Sequence, residues 1–235
     1  MECERVLKES LVHRRGRVIL LPIPTSRDNK YITGGGVLVD EILPLIDEST
    51  CLVGYNIPTM LMGFADKSGA LVYDGATDEE FLSANAELTA RGTLGYLLTH
   101  TDRDLSEQNI GVVGYGRIGM RLIRLLLLFG ARVTVFTRRE GVTMELCEMG
   151  ISASVIGEKT DYKELDILIN TAPAKQIEEN LLPEKLPIID LASGSIFEPS
   201  DRLTKLPSIP DRMYPKTAGR LYAEAAINRL WGDFT

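Results

Sequence analysis

The sequence predicts an α/β protein built on parallel sheets, with a smaller αβ domain and a larger one joined by a long helix. Three observations carry that expectation. Short runs of branched aliphatic residues, such as RVILL at 17–21 and NIGVV at 109–113, alternate with helical patterns. A single helical pattern runs from about 78 to 100, and a glycine-rich turn at 114–119 stands between a strand and an amphipathic run.

Taken in order, RVILL is a buried strand that ends in Pro22 and Pro24 and leads into the polar stretch Thr25–Tyr31. Val37–Ile46 reads as a short helix, Cys51–Tyr55 as a strand, Thr59–Phe64 as a second short helix and Ala70–Tyr73 as a third strand. From Asp78 onward Phe81, Leu82, Leu88, Leu94, Leu97 and Leu98 recur at roughly helical spacing, with Thr77 or Asp78 as the cap. The polar segment Thr101–Gln108 leads to the strand Asn109–Val113, the helical run MRLIRLLLLF stopped by Gly130, and the strand ARVTVF. DILIN at 166–170 and PIIDL at 187–191 are further strands, and a returning helix from about Thr217 to Trp231 closes the chain. The expected divisions are 1–104 for the smaller domain with its connecting helix, 105–215 for the larger domain, and 216–235 for the C-terminal helix.

Composition removes several function classes. A net charge of −7 gives no basic stripe for a phosphate backbone, so a nucleic-acid surface is not expected. Cys3, Cys51 and Cys147 are far apart and form no CxxC pair, which argues against a metal site or a disulfide framework and fits a reducing, cytoplasmic setting. The longest apolar run, Leu125–Phe129, is far too short to cross a bilayer of about 30 Å. Met1–Ser10 is charged and unlike a signal peptide.

The chemistry concentrates in Gly114-Tyr115-Gly116-Arg117-Ile118-Gly119. In a strand–turn–helix of this kind the first glycine permits the tight turn, the second lets backbone approach a pyrophosphate, and the third lets helix and strand pack closely. The phosphates sit on the helix N-terminus. With a strand before it and helix and strand after, the motif specifies a Rossmann-type dinucleotide-binding domain. NAD-preferring sites carry an acid at the end of the second strand; here that strand ends Thr137-Arg138-Arg139, and Glu140 comes late. Two guanidiniums and a hydroxyl suit a 2′-phosphate, so NADP is the expected cofactor and NAD the less favoured one. Ligands in such sheets bind beyond the carboxyl ends of the strands. This makes Asn170, Thr171, Ala172 and Pro173, with Ala192 and Ser193, the expected wall around ribose and nicotinamide. Ordinary strand-terminal turns are the alternative.

The overall layout resembles the D-2-hydroxyacid and formate dehydrogenases, but their chemistry is missing. Those enzymes need a histidine in the C-terminal part and an arginine after a late strand. His13 and His100 both precede the glycine turn, and the late strand reads IIDLASG. A more specific resemblance lies in FLSANAELTARGTL, THTD at 99–102, VVGYGRIGM, LINTAPA, IIDLASG and YPKTAGRLYA. Together these words resemble the family of the dipicolinate synthase A subunit, from about Arg17 to the end. The resemblance implies NADP-linked oxidation of dihydrodipicolinate to dipicolinate, the dicarboxylate of bacterial spores, with a flavoprotein-like second subunit. Further copies of the chain are another expected partner.

The resemblance and the placement of polar residues along the chain each suggest candidate site residues. Lys216 and Thr217, from the family's PKTAG word and at a helix start that favours anions, are candidates for the catalytic site. Thr25, Ser26 and Arg27 are candidates for a second anchor of the dianionic ring. His100, from the HTD word, is either a proton acceptor or a cap on the last helix carbonyls. Asn85 and Thr89, at i and i+4, either face substrate or hold the helix in place. Two departures stand out: only Met1–Gly16 precedes RVILL, so the smaller domain is expected to be N-terminally shortened and to lack a strand, and LPSIPDRMY at 206–214 departs from the family's glycine-rich loop. Two other readings therefore stay open: a non-catalytic NADPH-binding regulatory or scaffold protein, and an NADP-dependent reductase of another small carboxylate.

Overall fold

The computed structural model describes residues 17–157, 160–173, 177–192 and 197–232. The elements, in chain order, begin with β1 (Arg17–Leu20), β2 (Thr50–Gly54), α1 (Thr59–Ser68), β3 (Leu71–Asp74) and α2 (Glu79–His100). Then come β4 (Asn109–Val113), α3 (Arg117–Leu128), β5 (Arg132–Thr137), α4 (Glu140–Glu148), β6 (Ser152–Val155), β7 (Ile167–Asn170), β8 (Ile188–Asp190) and β9 (Leu203–Lys205). The short α5 (Ile209–Met213) and the long α6 (Pro215–Trp231) follow. The chain divides into two compact units, one made of residues up to Asn85 with those from Tyr214 onward, the other of Ala86–Met213.

In the first unit β1, β2 and β3 form a parallel sheet in that order. Successive side chains point to opposite faces. Ile19, Leu52 and Val72 pack with Leu61 and Ala65 of α1, while Val18, Val53 and Tyr73 pack with Tyr222, Ala223 and Ala226 of α6 and Phe81 of α2. Val39–Leu45 is a tight 3-10 segment rather than the short helix the pattern suggests. Pro44 lies inside it and lacks the N–H that an α-helical ladder needs there. α6 starts two residues before Thr217 because Pro215, with its fixed φ, suits a first helical position.

The second unit is a six-stranded parallel sheet in the order β6-β5-β4-β7-β8-β9. This is the doubly wound order, with the first strand of the unit at the centre and a reversal of direction between β4 and β7. α3 buries Leu122, Ile123 and Leu126 against Val112 and Val135 of the sheet and Leu94 and Leu97 of α2. Side chains on the other face, among them Val113, Phe136, Leu168 and Ile188, form a second cluster with Tyr162. Each such aliphatic side chain contributes about 1.5–3 kcal/mol when fully buried. The expected division after the helix, near 104, differs from the packing, which divides α2 itself: Phe81 belongs to the first core, and Ala90, Leu94 and Leu97 belong to the second.

The polar segment that follows α2 is a tie. Arg103 donates to the Asp166 carboxylate at 2.8 Å and to the Glu107 carbonyl at 2.7 Å, and the Asn109 N–H donates to Asp166 at 2.8 Å. These bonds fasten the segment to the starting ends of β4 and β7. The Asn109 N–H, followed by Arg103 and the charge of Arg132, holds the Asp166 carboxyl below the usual carboxylate range.

Candidate dinucleotide site

β4 runs out at Val113 and the chain reverses at Gly114, whose φ of 94° lies in the left-handed region. A side chain there faces a second obstacle, since a Cβ would stand 2.9 Å from the Thr171 hydroxyl. Gly116 precedes the first turn of α3, and a Cβ on it would meet nothing within 4 Å. That open space is what a pyrophosphate requires. At Gly119 a Cβ would run into the Gly114 carbonyl, so the third glycine permits the close approach of helix to turn. No side chain caps α3 and no acid stands in its first turn, which leaves its N-terminal dipole uncompensated for an anion. These residues fit a dinucleotide.

The end of β5 supplies cations. Arg139 donates from Nη2 to the Tyr115 carbonyl at 2.6 Å, reaching from the second strand end to the glycine turn. Its backbone N–H donates to the Thr137 hydroxyl at 3.2 Å, which fixes the bend into α4. Arg138 is exposed and makes no hydrogen bond or ion pair with a described residue. One guanidinium is therefore anchored at the turn, and its neighbour is open to a ligand. Glu140 opens α4, beyond the strand-end position where an acid would meet a ribose 2′-hydroxyl.

The ends of β7 and β8 do different work from the turn. The Thr171 hydroxyl donates to the Val113 carbonyl at 2.8 Å, and its N–H donates to the same oxygen at 3.0 Å, so Thr171 braces the first strand end. Asn170 is fully buried. Its amide donates to the Ala172 carbonyl at 3.0 Å and to the Asp190 carboxylate at 2.8 Å, while Asp190 also accepts the Ala192 N–H at 3.1 Å. Asn170 and Asp190 thus tie two strand-end loops together, and Asn170 presents its side chain inward. Sequence reasoning missed Asp190, because its partner lies twenty positions away and only the β7–β8 pairing brings them together. Ala172 is buried and Pro173 exposed on the first of these loops, and Ala192 is half-buried on the second. Ser193 lies outside the described residues.

The remaining candidates are spread over both units. Thr25, Ser26, Arg27, Asn85, Lys216 and Thr217 belong to the first, while Thr89, His100 and the residues of the glycine turn belong to the second. Thr25 is fully buried, and its hydroxyl accepts the Tyr55 N–H at 3.1 Å. Ser26 is buried and donates to Asp28 at 3.2 Å. Arg27 is exposed beside them. Lys216 and Thr217 are exposed in the first turn of α6, a helix start without a side-chain cap. His100 stacks on Tyr96 at 4.0 Å, and its Nδ1 lies 3.0 Å from the Tyr96 carbonyl, the arrangement of a residue that closes the last turn of α2. Thr89 is buried, Asn85 is half-buried, and both make contacts inside the protein. Among the described residues no cluster of metal-ligating side chains occurs, and no helix is long and apolar enough to cross a membrane.

A doubly wound parallel sheet with this glycine turn at its first helix defines a nicotinamide-dinucleotide-binding domain of dehydrogenase type. Residues 84–187 match the family described as D-isomer specific 2-hydroxyacid dehydrogenase, NAD binding domain. The chain is similar to the A subunit of dipicolinate synthase from Bacillus subtilis (strain 168), with 32% identity over 157 residues, or 62% of this chain and 53% of that protein. The matched region thus spans about half the length of the curated relative. The crystal structure of the A subunit of dipicolinate synthase from Bacillus halodurans superposes with a TM-score of 0.75 at 26% identity, covering 91% of this chain and 79% of that one. Its Bacillus subtilis counterpart shares the fold, with a TM-score of 0.70 at 24% identity over 90% of this chain and 77% of its own. The resemblance carried by the motif words is borne out.

Proposed function

We propose that this chain is an NADP-dependent oxidoreductase subunit of the dipicolinate synthase type, which oxidises dihydrodipicolinate to dipicolinate. The observation that carries the cofactor choice is the pair Arg138 and Arg139, one bonded to the glycine turn and the other open. Similarity to the A subunit of dipicolinate synthase supports the substrate. When bound, the nicotinamide ring supplies the hydride acceptor. The dihydropyridine ring would give up a hydride to that acceptor from one carbon and a proton to solvent from its neighbour, with aromatisation driving the step. Orientation then matters more than strong acid/base catalysis.

The chain's own task is to hold a dianion and keep the cofactor in place. Arg138 and Arg139 take the 2′-phosphate, and the α3 N-terminus takes the pyrophosphate. Arg27 and Lys216 are the exposed cations among the substrate candidates, with Thr217 as a hydroxyl donor. His100, turned to its own helix carbonyl, caps α2, so the proton passes to solvent. The protein works in the cytoplasm of a spore former with a second, flavoprotein-like subunit.

A second reading, an NADPH-binding protein without turnover, is favoured by the internal engagement of Thr25, Ser26 and His100. One assay separates the two. Dihydrodipicolinate generated in place by an upstream enzyme is added to the purified chain with NADP⁺ or with NAD⁺. Cofactor reduction and pyridine absorbance rising together with NADP⁺ is the expected result. NADPH binding without either signal, with and without the second subunit, would leave the non-catalytic reading.

A further inference from the structure

β3 is an edge strand, and among the described residues β2 is its only strand partner. A cavity of about 630 Å³ borders it. Met62 of α1 lines the cavity from one face of the sheet, Leu221 and Ala225 of α6 line it from the other, and Val72 and Tyr73 line it from the strand between. α1 and α6 pack on opposite faces of this sheet. A hollow touched by both helices and by the strand therefore lies beside the outer backbone of β3, where an edge strand presents its unpaired N–H and C=O groups.

The lining mixes apolar side chains, among them Met62, Val72, Leu221 and Ala225, with a majority of polar ones that are mostly acidic. Glu80 and Glu224 are exposed carboxylates on the lining, Glu224 in a solvent-exposed pair with Arg220 at 3.9 Å, and Asp74 and Asp78 stand with them. Asp74 and Asp78 are already committed: Asp74 accepts the Asn56 and Ile57 N–H groups at 2.7 and 2.9 Å, and Asp78 accepts the Tyr73 hydroxyl at 3.1 Å and the Phe81 N–H at 3.0 Å. Arg229 is the cation of the lining, so the balance stays negative. Two copies of this edge facing each other would bring like charges together, which opposes pairing with itself. A small cation would leave the row of backbone groups unanswered.

We propose that the open edge of β3 receives an extended, basic segment of a second protein, which adds to the sheet as a further strand. Its backbone pairs with β3, its apolar side chains meet Met62, Val72, Leu221 and Ala225 in a hollow that Phe81 and Ala84 of α2 also line, and its lysines or arginines meet Glu80 and Glu224. This is recognition by strand addition, with main-chain bonds supplying affinity and alternate side chains supplying specificity. It is independent of the cofactor reading.

The test uses the full chain with a labelled synthetic peptide alternating lysine and valine, a counterpart alternating glutamate and valine, and hydrogen exchange. The lysine peptide binds and slows exchange at the backbone of Leu71–Asp74. Its affinity falls about tenfold or more in Glu80→Lys/Glu224→Lys, in which two rim charges reverse. Ala225→Trp, which fills the hollow, lowers affinity while NADPH binding stays unchanged. Absence of binding, equal binding of the glutamate peptide, or binding without slowed exchange at Leu71–Asp74 would overturn the proposal. Slowed exchange there that grows with protein concentration in the absence of peptide would overturn it in favour of self-pairing.

Discussion

Two loops that follow parallel strands, one in each unit, invite comparison. After β4 the chain leaves through Gly114, packed close to Thr171, and reaches Gly116, which is exposed and where a Cβ would meet nothing within 4 Å. After β1 it folds in on itself: Thr25 and Ser26 are buried and bonded to Tyr55 and Asp28. Asp28 in turn accepts the Lys30 and Tyr31 N–H groups at 2.9 Å, and these contacts hold its carboxyl below the usual range. The first loop is built to receive, and the second is largely self-satisfied. What remains for a ligand includes the exposed Arg27 and the Thr33 hydroxyl, which has no hydrogen-bond partner among the described residues.

The largest effect expected from breaking this contrast is at Gly119. In Gly119→Val the new side chain collides with the Gly114 carbonyl, so α3 must move away from the turn. NADPH affinity, measured by calorimetry, falls by about a hundredfold or more, equivalent to about 3 kcal/mol. Thr25→Ala leaves NADPH binding unchanged and lowers stability instead. It removes the acceptor for a part-buried N–H, at a cost of about 1–3 kcal/mol read from urea denaturation. Equal damage to cofactor binding in both variants would erase the distinction between the loops.

The smallest effect sharpens a third region, the Arg103–Asp166 tie. The folded-state pKa of Asp166 is lowered, so its stabilisation is fully present above the unfolded value of about 3.9 and is lost as pH falls through the folded one. Denaturation midpoints of Asp166→Asn should therefore fall less steeply with acid than those of the parent protein, with the difference confined to the region below about pH 4.

The contrast between the loops also explains what could be read from the sequence. Asn109–Val113 and the glycine turn are visible because every demand on them is local: branched aliphatics for a central strand, then glycine where a Cβ has no room. The linking helix is visible from its leucine spacing and the returning helix in outline, though its start at Pro215, two residues before Thr217, is not. The edge strands β6 (SASV) and β9 (LTK) escaped notice, because short strands of small or polar residues carry no hydrophobic pattern. Partnerships set by tertiary structure were equally hidden. The Asn170–Asp190 tie needs the β7–β8 register, and the Arg139 bond to Tyr115 joins residues twenty-four positions apart. Nothing in the THTD word foretells the stacking of His100 on Tyr96 or the approach of its Nδ1 to the Tyr96 carbonyl, which depend on the helix geometry.

The central claim is that the basic end of β5 selects a 2′-phosphate. Titration calorimetry of the intact chain with NADPH and with NADH, repeated on Arg138→Ala/Arg139→Ala, tests it directly. Charge-assisted bonds of about 1.5–3 kcal/mol predict NADPH binding at least about tenfold tighter than NADH, with the preference lost in the double variant and NADH affinity little changed. Equal affinities in the parent chain, or a preference that survives removal of both guanidiniums, would contradict it.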